Sequence, residues 1–396
     1  MTIPQLDILL YAHDGRGLGH VSRSAAIGMA LRRLYPDLRV CLLTGCRQTQ
    51  ELISPAPLDW LKLPAYETEV IDGTSRGIDG LSNYTDRELA GIRQKQIQQA
   101  FALYRPRLFL ADHTPQGKHQ ELVPALASLS SQTRTVCVLG VRGVVGMVAQ
   151  TKLPLAQDLF KSHFLKLLWY GDSTVLGHDH LDILSRRFCT DVVECGYVSR
   201  LAEINRLFPD LKAPEPEIAC TISIPWLGED SELFLTTLSD AIERVGPGFG
   251  MFRVYIGDGA SEASINRFNR LQDCSVEPFG SSYANSLCQS KAAVILGGYN
   301  SLVDILALRI PALVVLRNMR DREQQEHLEA LRGAQGTRLS VIDERGCTSD
   351  IIHQNLLNLL DDPPSAEFSG TINLDGAANA AHALAATLKH VSAHPH

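Results

Sequence analysis

The chain has no run approaching the roughly 20 apolar residues needed to cross a bilayer. Its first residues lack a basic region followed by a long apolar stretch, because Ile8 to Tyr11 soon gives way to His13, Asp14 and Gly15. The pattern therefore predicts neither an integral membrane protein nor a secreted one, and it points to the cytoplasm. Basic charge is not in excess either. Lys and Arg number 37 against 44 Asp and Glu, a formal charge of −7, so nothing draws the whole molecule toward nucleic acid or anionic lipid. Cysteine follows no framework. Nine are scattered along the chain, several inside apolar runs such as Val136-Cys137-Val138, and they read as reduced core residues. A Walker-type Gly-Lys-Ser and a full G-x-G-x-x-G spacing are both missing, which argues against ATP and nicotinamide cofactors. His178, Asp179 and His180 have no further ligand at a suitable spacing, so no metal is expected.

What is present is globular: 396 residues, 45% hydrophobic and 20% charged, enough for two domains with substantial cores. Short apolar runs alternate with amphipathic stretches throughout, which predicts α/β architecture with mainly parallel sheets. Strands are expected over 7–12, 39–43, 108–111, 135–141, 167–170 and 192–195 in the first half. In the second they are expected over 218–224, 252–256, 276–279, 293–296, 312–316 and 339–342. The proline- and charge-bearing FPDLKAPEPE at 208–217 reads as a linker. The domain reading is thus 1–205, a linker over 206–216, 217–374, and a terminal helix over 375–396 suited to pack back on the first domain.

The clearest helix spans Val21 to Leu34, stopped by Pro36, and it follows the loop GRGLGH at 15–20. Gly15, Gly17 and Gly19 permit close backbone approach to a ligand, and a helix N-terminus there would favour a diphosphate, carboxylate or oxyanion. His20, at the helix start with Arg23 one turn on, can act as a general base or donate to a reacting oxygen. The plain alternative is a tight strand-to-helix turn with His20 covering the helix end.

G-x-G-H-x-x-R after the first strand occurs together with LGGYNSLVDILALRIPALVV at 296–315 and REQQEHLEAL at 322–331. This combination resembles bacterial GT-B glycosyltransferases related to the enzyme that adds N-acetylglucosamine to the peptidoglycan lipid precursor. LLWYGDSTV at 167–175 and ECGYVSR at 194–200 are similar to a branch of predicted bacterial glycosyltransferases. The resemblance implies two Rossmann-like open parallel-sheet domains facing a central cleft, with a nucleotide-sugar donor on the C-terminal one. It implies a UDP-N-acetylhexosamine or UDP-hexose as co-substrate, no cofactor, metal-independent and inverting transfer, and a small-molecule, saccharide or lipid acceptor. It also implies a cytoplasmic enzyme with peripheral membrane association left open.

By the same resemblance, Gly17, Gly19, Gly297, Gly298, Asn300 and Ser301 would lie by the donor phosphates. Asp304 would hold the ribose, and Arg320, Glu323, Gln324 and Gln325 would meet the sugar and phosphate. His20 is the expected catalytic residue. Asp112, at the end of the strand over 108–111, is expected as an acceptor-side base or as a polar loop residue capping the next helix. The segment 67–84 is expected as an acceptor-side loop. Two departures stand out. TISIPWLGED holds only Gly228 where such enzymes carry a glycine-rich turn, and VRGVVG at 141–146 replaces a more charged turn. A nucleotide-sugar hydrolase and a non-catalytic nucleotide-sugar-binding protein are the alternative readings.

Overall fold

The computed structural model describes residues 5–13, 18–71, 74–78, 83–129, 135–144, 149–209, 218–228, 230–257, 259–317, 323–333, 338–361 and 372–393. The chain divides into two compact units, Met1–Leu207 with Ile372–His396, and Phe208–Thr371.

Unit 1 is built on β1 (Ile8–Tyr11), β2 (Val40–Thr44), β3 (Asp59–Lys62), a hairpin of β4 (Glu67–Ile71) and β5 (Thr74–Ile78), β6 (Leu108–Asp112), β7 (Val136–Arg142), β8 (Phe164–Tyr170) and β9 (Val192–Glu194). Seven of these form one parallel sheet in the order β3-β2-β1-β6-β7-β8-β9. Every residue of β1, β2 and β6 is buried, as expected of parallel strands covered on both faces. The Gly19–Leu34 helix returns the chain from β1 to β2, with all of Val21 to Leu31 buried. The Gly376–Ala393 helix packs against it, so the chain's last helix belongs to unit 1. Asn379 Nδ2 donates to Cys195 O at 2.8 Å, and Tyr197 N–H donates to Asn373 O at 2.8 Å. Gly196 sits at φ +89, and a Cβ there would stand 2.5 Å from Asn373, so glycine is needed for this close approach.

Unit 2 carries β10 (Ile218–Ile224), β11 (Met251–Ile256), β12 (Cys274–Glu277), β13 (Ser290–Leu296), β14 (Ala312–Leu316) and β15 (Leu339–Asp343), all parallel, in the order β12-β11-β10-β13-β14-β15. Its core joins Ile222, Phe234, Leu238, Phe252, Val294, Leu313, Ile352 and Leu356. Each such side chain contributes about 1.5–3 kcal/mol on burial. Both units therefore have the doubly wound, Rossmann-like order, which reverses at a switch point: between β1 and β6 in unit 1, and between β10 and β13 in unit 2. In such sheets ligands bind outside the carboxyl ends of the strands at that point.

All twelve predicted strands are present. The segment 67–84, read as a loop, instead begins with the antiparallel β4–β5 hairpin. All nine cysteines are unbridged, but Cys189 is exposed and only Cys41, Cys137, Cys195 and Cys220 are buried. Burial pushes the Cys137 and Cys195 thiols up to about 12, so neither is a reactive thiolate near neutral pH.

Candidate functional site

At the switch point of unit 1 the carboxyl ends of β1 and β6 lie side by side, with Tyr11 opposite Ala111. β1 is followed by His13 and, across the loop, by Gly19 and His20 in the first turn of the Gly19–Leu34 helix. β6 ends in Asp112 and His113. Two sites expected from sequence, His20 and Asp112, thus meet: His20 Nδ1 lies 2.5 Å from Asp112 Oδ2. Gly17 lies outside the described residues.

At that distance the imidazole nitrogen and the carboxylate share a proton, so Nδ1–H donates to Asp112 and the lone pair falls on Nε2. Arg23, 2% exposed, has Nη2 3.0 Å from Nδ1 and 3.3 and 3.4 Å from the two Asp112 oxygens. A guanidinium cannot accept a hydrogen bond, so its hydrogens serve Asp112. Asp112, 2% exposed, consequently stands behind His20 as its orienting partner. Asp112, expected as an acceptor-side base or as a polar loop residue capping the next helix, thus has its Oδ2 engaged by the imidazole.

His13 and His113 close a triangle around His20, with ring centroids 5.0 Å (His13–His20), 4.9 Å (His13–His113) and 4.7 Å (His20–His113) apart. His113 adopts φ +78, uncommon for a side-chain-bearing residue and worth about 1–3 kcal/mol of strain. Its N–H donates to Gly140 O at 2.7 Å, which holds the turn. Burial lowers all three imidazoles well below the ordinary 6.5. Arg23, Arg142 and Lys118 add to this at His20, and the neighbouring imidazoles add to it at His13 and His113. Lowered in this way, the His20 imidazole is uncharged near pH 7.

Tyr11, at the end of β1, belongs to a second buried cluster. Arg93 and Glu121, both fully buried, pair through Nε to Oε2 at 2.5 Å and Nη2 to Oε1 at 2.7 Å. Tyr11 Oη donates to Glu121 at 2.5 Å and Tyr66 Oη at 3.3 Å, while the Arg93 guanidinium and Lys118 Nζ lie 4.5 and 4.7 Å from the Tyr66 ring. The Asp112–Glu121 loop is thereby anchored at both ends.

In unit 2, Gly297 and Gly298 follow β13, and Gly298 caps the Tyr299–Leu308 helix. Their amides were expected to face a phosphate, but both are used within the fold: Gly297 N–H donates to Val315 O and Gly298 N–H to Leu296 O. Leu302 makes the first helical bond, to Gly298 O, so the earlier amides of Asn300 and Ser301 have no partner within the helix. Asn300 Oδ1 is buried without a partner. A Cβ on Gly298 would meet nothing within 4 Å, so space is open in front of the cap. Gln324 approaches the same place, its Oε1 3.4 Å from where a Gly297 Cβ would stand. Asp304 is 8% exposed and so is not a solvated surface charge. Gln325 instead donates to Glu329 on the exposed side of its own helix. Arg320 lies outside the described residues, as does the side chain of Glu323.

Where a glycine-rich turn was missing, the end of β10 is braced by side chains. Gly228 N–H donates to Ser231 Oγ at 2.8 Å, and Ser231 Oγ donates to Glu344 at 2.8 Å. The Arg317 guanidinium lies 4.4 Å from the Trp226 ring centroid, donates to Trp226 O, and pairs with Glu344 at 3.1 Å. Arg317 and Glu344 come from the ends of β14 and β15, so this cluster ties three strand ends together. Sequence reasoning did not single out His13, Glu344 or Trp226 as a group. The available signal was their shared place, each just beyond a strand's carboxyl end.

No protein-family model matches the chain, and no curated protein matches its sequence. Solved structures do match it over nearly its whole length. MurG from Acinetobacter baumannii is 11% identical over 99% of this chain and 100% of its own, with a TM-score of 0.52. The spinosyn forosaminyltransferase SpnP is 12% identical over 97% and 99%, with a TM-score of 0.58. The UDP-GlcNAc 2-epimerase from Methanocaldococcus jannaschii is 10% identical over 98% and 99%, with a TM-score of 0.59. At these identities the likeness establishes the fold, a GT-B chain of two Rossmann-like domains.

Proposed function

We propose that this chain is a glycosyltransferase that moves a sugar from a uridine-diphosphate donor, a UDP-N-acetylhexosamine or UDP-hexose, to an acceptor hydroxyl. One observation carries the reading: the 2.5 Å contact of His20 Nδ1 with buried Asp112 at the switch point of unit 1. It supports an imidazole of fixed tautomer, neutral near pH 7, with Nε2 as general base. The acceptor proton passes to Nε2 as the acceptor oxygen bonds to the sugar's anomeric carbon. The carbon–oxygen bond to the diphosphate breaks, and its electron pair leaves with UDP. The amides of Asn300 and Ser301 at the helix start of unit 2 stabilise that charge. Asp304 is assigned to the ribose. Metal independence and inversion rest on the family resemblance. The acceptor is a small molecule, saccharide or lipid, and the site of action is the cytoplasm or its membrane face. No helix among the described residues is long and apolar enough to cross a membrane.

The test is a panel of UDP-sugars with and without candidate acceptors, the products identified by mass spectrometry. His20→Ala should lower kcat, and Asp304→Asn should raise the KM for donor. If both variants turn over a cognate pair as the wild type does, the site assignment is wrong. A second reading, a UDP-sugar enzyme that needs no acceptor, is favoured by the epimerase among the structural neighbours. Free sugar or an epimerised donor formed without acceptor would select it, and donor binding without any turnover would select a non-catalytic binding protein.

A further inference from the structure

We infer that the acceptor carries an anionic group, a carboxylate or phosphate, which His13 and His113 hold beside the hydroxyl presented to His20. The inference rests on the transferase reading and names the acceptor's chemistry. His113 is 6% exposed, yet its Nδ1 and that of His13 are buried and have no hydrogen-bond partner. Such atoms are rarely left unmet in a folded protein, and here they flank the proposed base with ring centroids within 5.0 Å of each other.

The surrounding charge selects the ligand's sign. Arg23, Arg142 and Lys118 act on His20 as cations and Lys118 acts on His13, with Asp112 as the carboxylate facing them, while nearby Arg93 is paired with Glu121. An anion in this field selects the tautomer with the proton on Nδ1, so that each neutral imidazole donates to it, whereas a metal cation would be repelled. Among the described residues no His, Cys, Asp and Glu group has metal-binding geometry. Because the three rings adjoin, the anion and the nucleophilic hydroxyl must sit within a few bonds of one another. A hydroxy acid or a phosphorylated alcohol satisfies this.

The experiment titrates the full chain with inorganic phosphate, acetate or Zn²⁺ at constant ionic strength, following the imidazole carbon resonances of His13, His20 and His113. UDP binding is measured separately by calorimetry. Saturable shifts with phosphate or acetate are expected, the tighter anion naming the group. A His13→Asn, His113→Asn double variant should bind that anion at least tenfold more weakly with UDP affinity unchanged, since asparagine tolerates positive φ. No saturable shift with either anion, an unchanged affinity in the variant, or a response to Zn²⁺ alone would overturn the inference. If UDP binds and the anions do not, only the acceptor assignment fails. If the anions bind and UDP does not, the transferase reading fails and the acceptor assignment goes with it.

Discussion

Replacing Asp112 by asparagine tests the proposed base without changing its size. The carboxylate accepts Nδ1–H of His20 at 2.5 Å while Arg23 Nη2 lies 3.3 Å from the same oxygen. An asparagine has one acceptor to serve both. Arg23 is 2% exposed, so its guanidinium demands the carbonyl oxygen, and the amide NH₂ turns toward His20. Nδ1 must then accept, the proton moves to Nε2, and the base is lost although the ring stays in place. In the serine-protease triad, the reference case for a carboxylate that sets a histidine tautomer, the equivalent change lowers kcat about 10⁴-fold. A general base contributes about 10²–10⁴-fold, which brackets the expected loss of kcat here. Arg23 keeps a dipolar partner, so the variant should still fold, whereas Asp112→Ala leaves a buried charge uncompensated and should cost about 3–5 kcal/mol. The assay is initial UDP release with a cognate donor and acceptor, together with UDP affinity and a thermal melt. An asparagine variant with a native melt and more than a third of the wild-type rate would refute the assignment of Asp112 as orienting partner and His20 as base.

Further expectations follow from the same geometry. Because burial lowers His13, His20 and His113 below 6.5, the unfolded chain binds more protons than the folded one in the range just below that value. Stability is therefore fully present above pH 6.5 and falls on acidification, by up to about 1.4 kcal/mol per pH unit for each histidine. Urea midpoints measured between pH 5 and 8 should slope less in the His13→Asn, His113→Asn variant, and an equal slope would remove the histidines as the cause. The acid limb of kcat/KM should likewise lie below pH 6.5, and a limb at or above that value would contradict a neutral His20 in the free enzyme. Glu121→Ala strands the fully buried Arg93 and should cost about 3–5 kcal/mol in chemical unfolding, against less than 1 kcal/mol if the pair were a surface one. Gly140→Ala would put a Cβ 2.0 Å from the buried Tyr170 hydroxyl, on the strand residue opposite Asp112. Overpacking there should cost about 1–3 kcal/mol and disturb the pairing behind the base, and an unaltered melting temperature would show that Tyr170 yields freely.

The sequence by itself determined the class of this protein and most of its elements. Parallel strands buried on both faces must be written as continuous apolar runs, so ILLY, VCLLT, LFLAD and ALVVL are legible without a structure. The missed strands lack that constraint. β3 is an edge strand with Asp59 and Lys62 exposed, and the β4–β5 hairpin pairs only with itself. His20 was legible because a histidine at the start of a helix after a glycine loop is a local pattern. Its pairing with Asp112 was not, since 92 residues separate them and only the adjacency of β1 and β6 brings their carboxyl ends together. The same holds for His13 with His113, and for Trp226 with Arg317 and Glu344. Hydrophobic periodicity encodes which residues are inside. Which strand ends become neighbours is decided by the order in which strands pair, and that order places the charged and polar residues just beyond them into common sites.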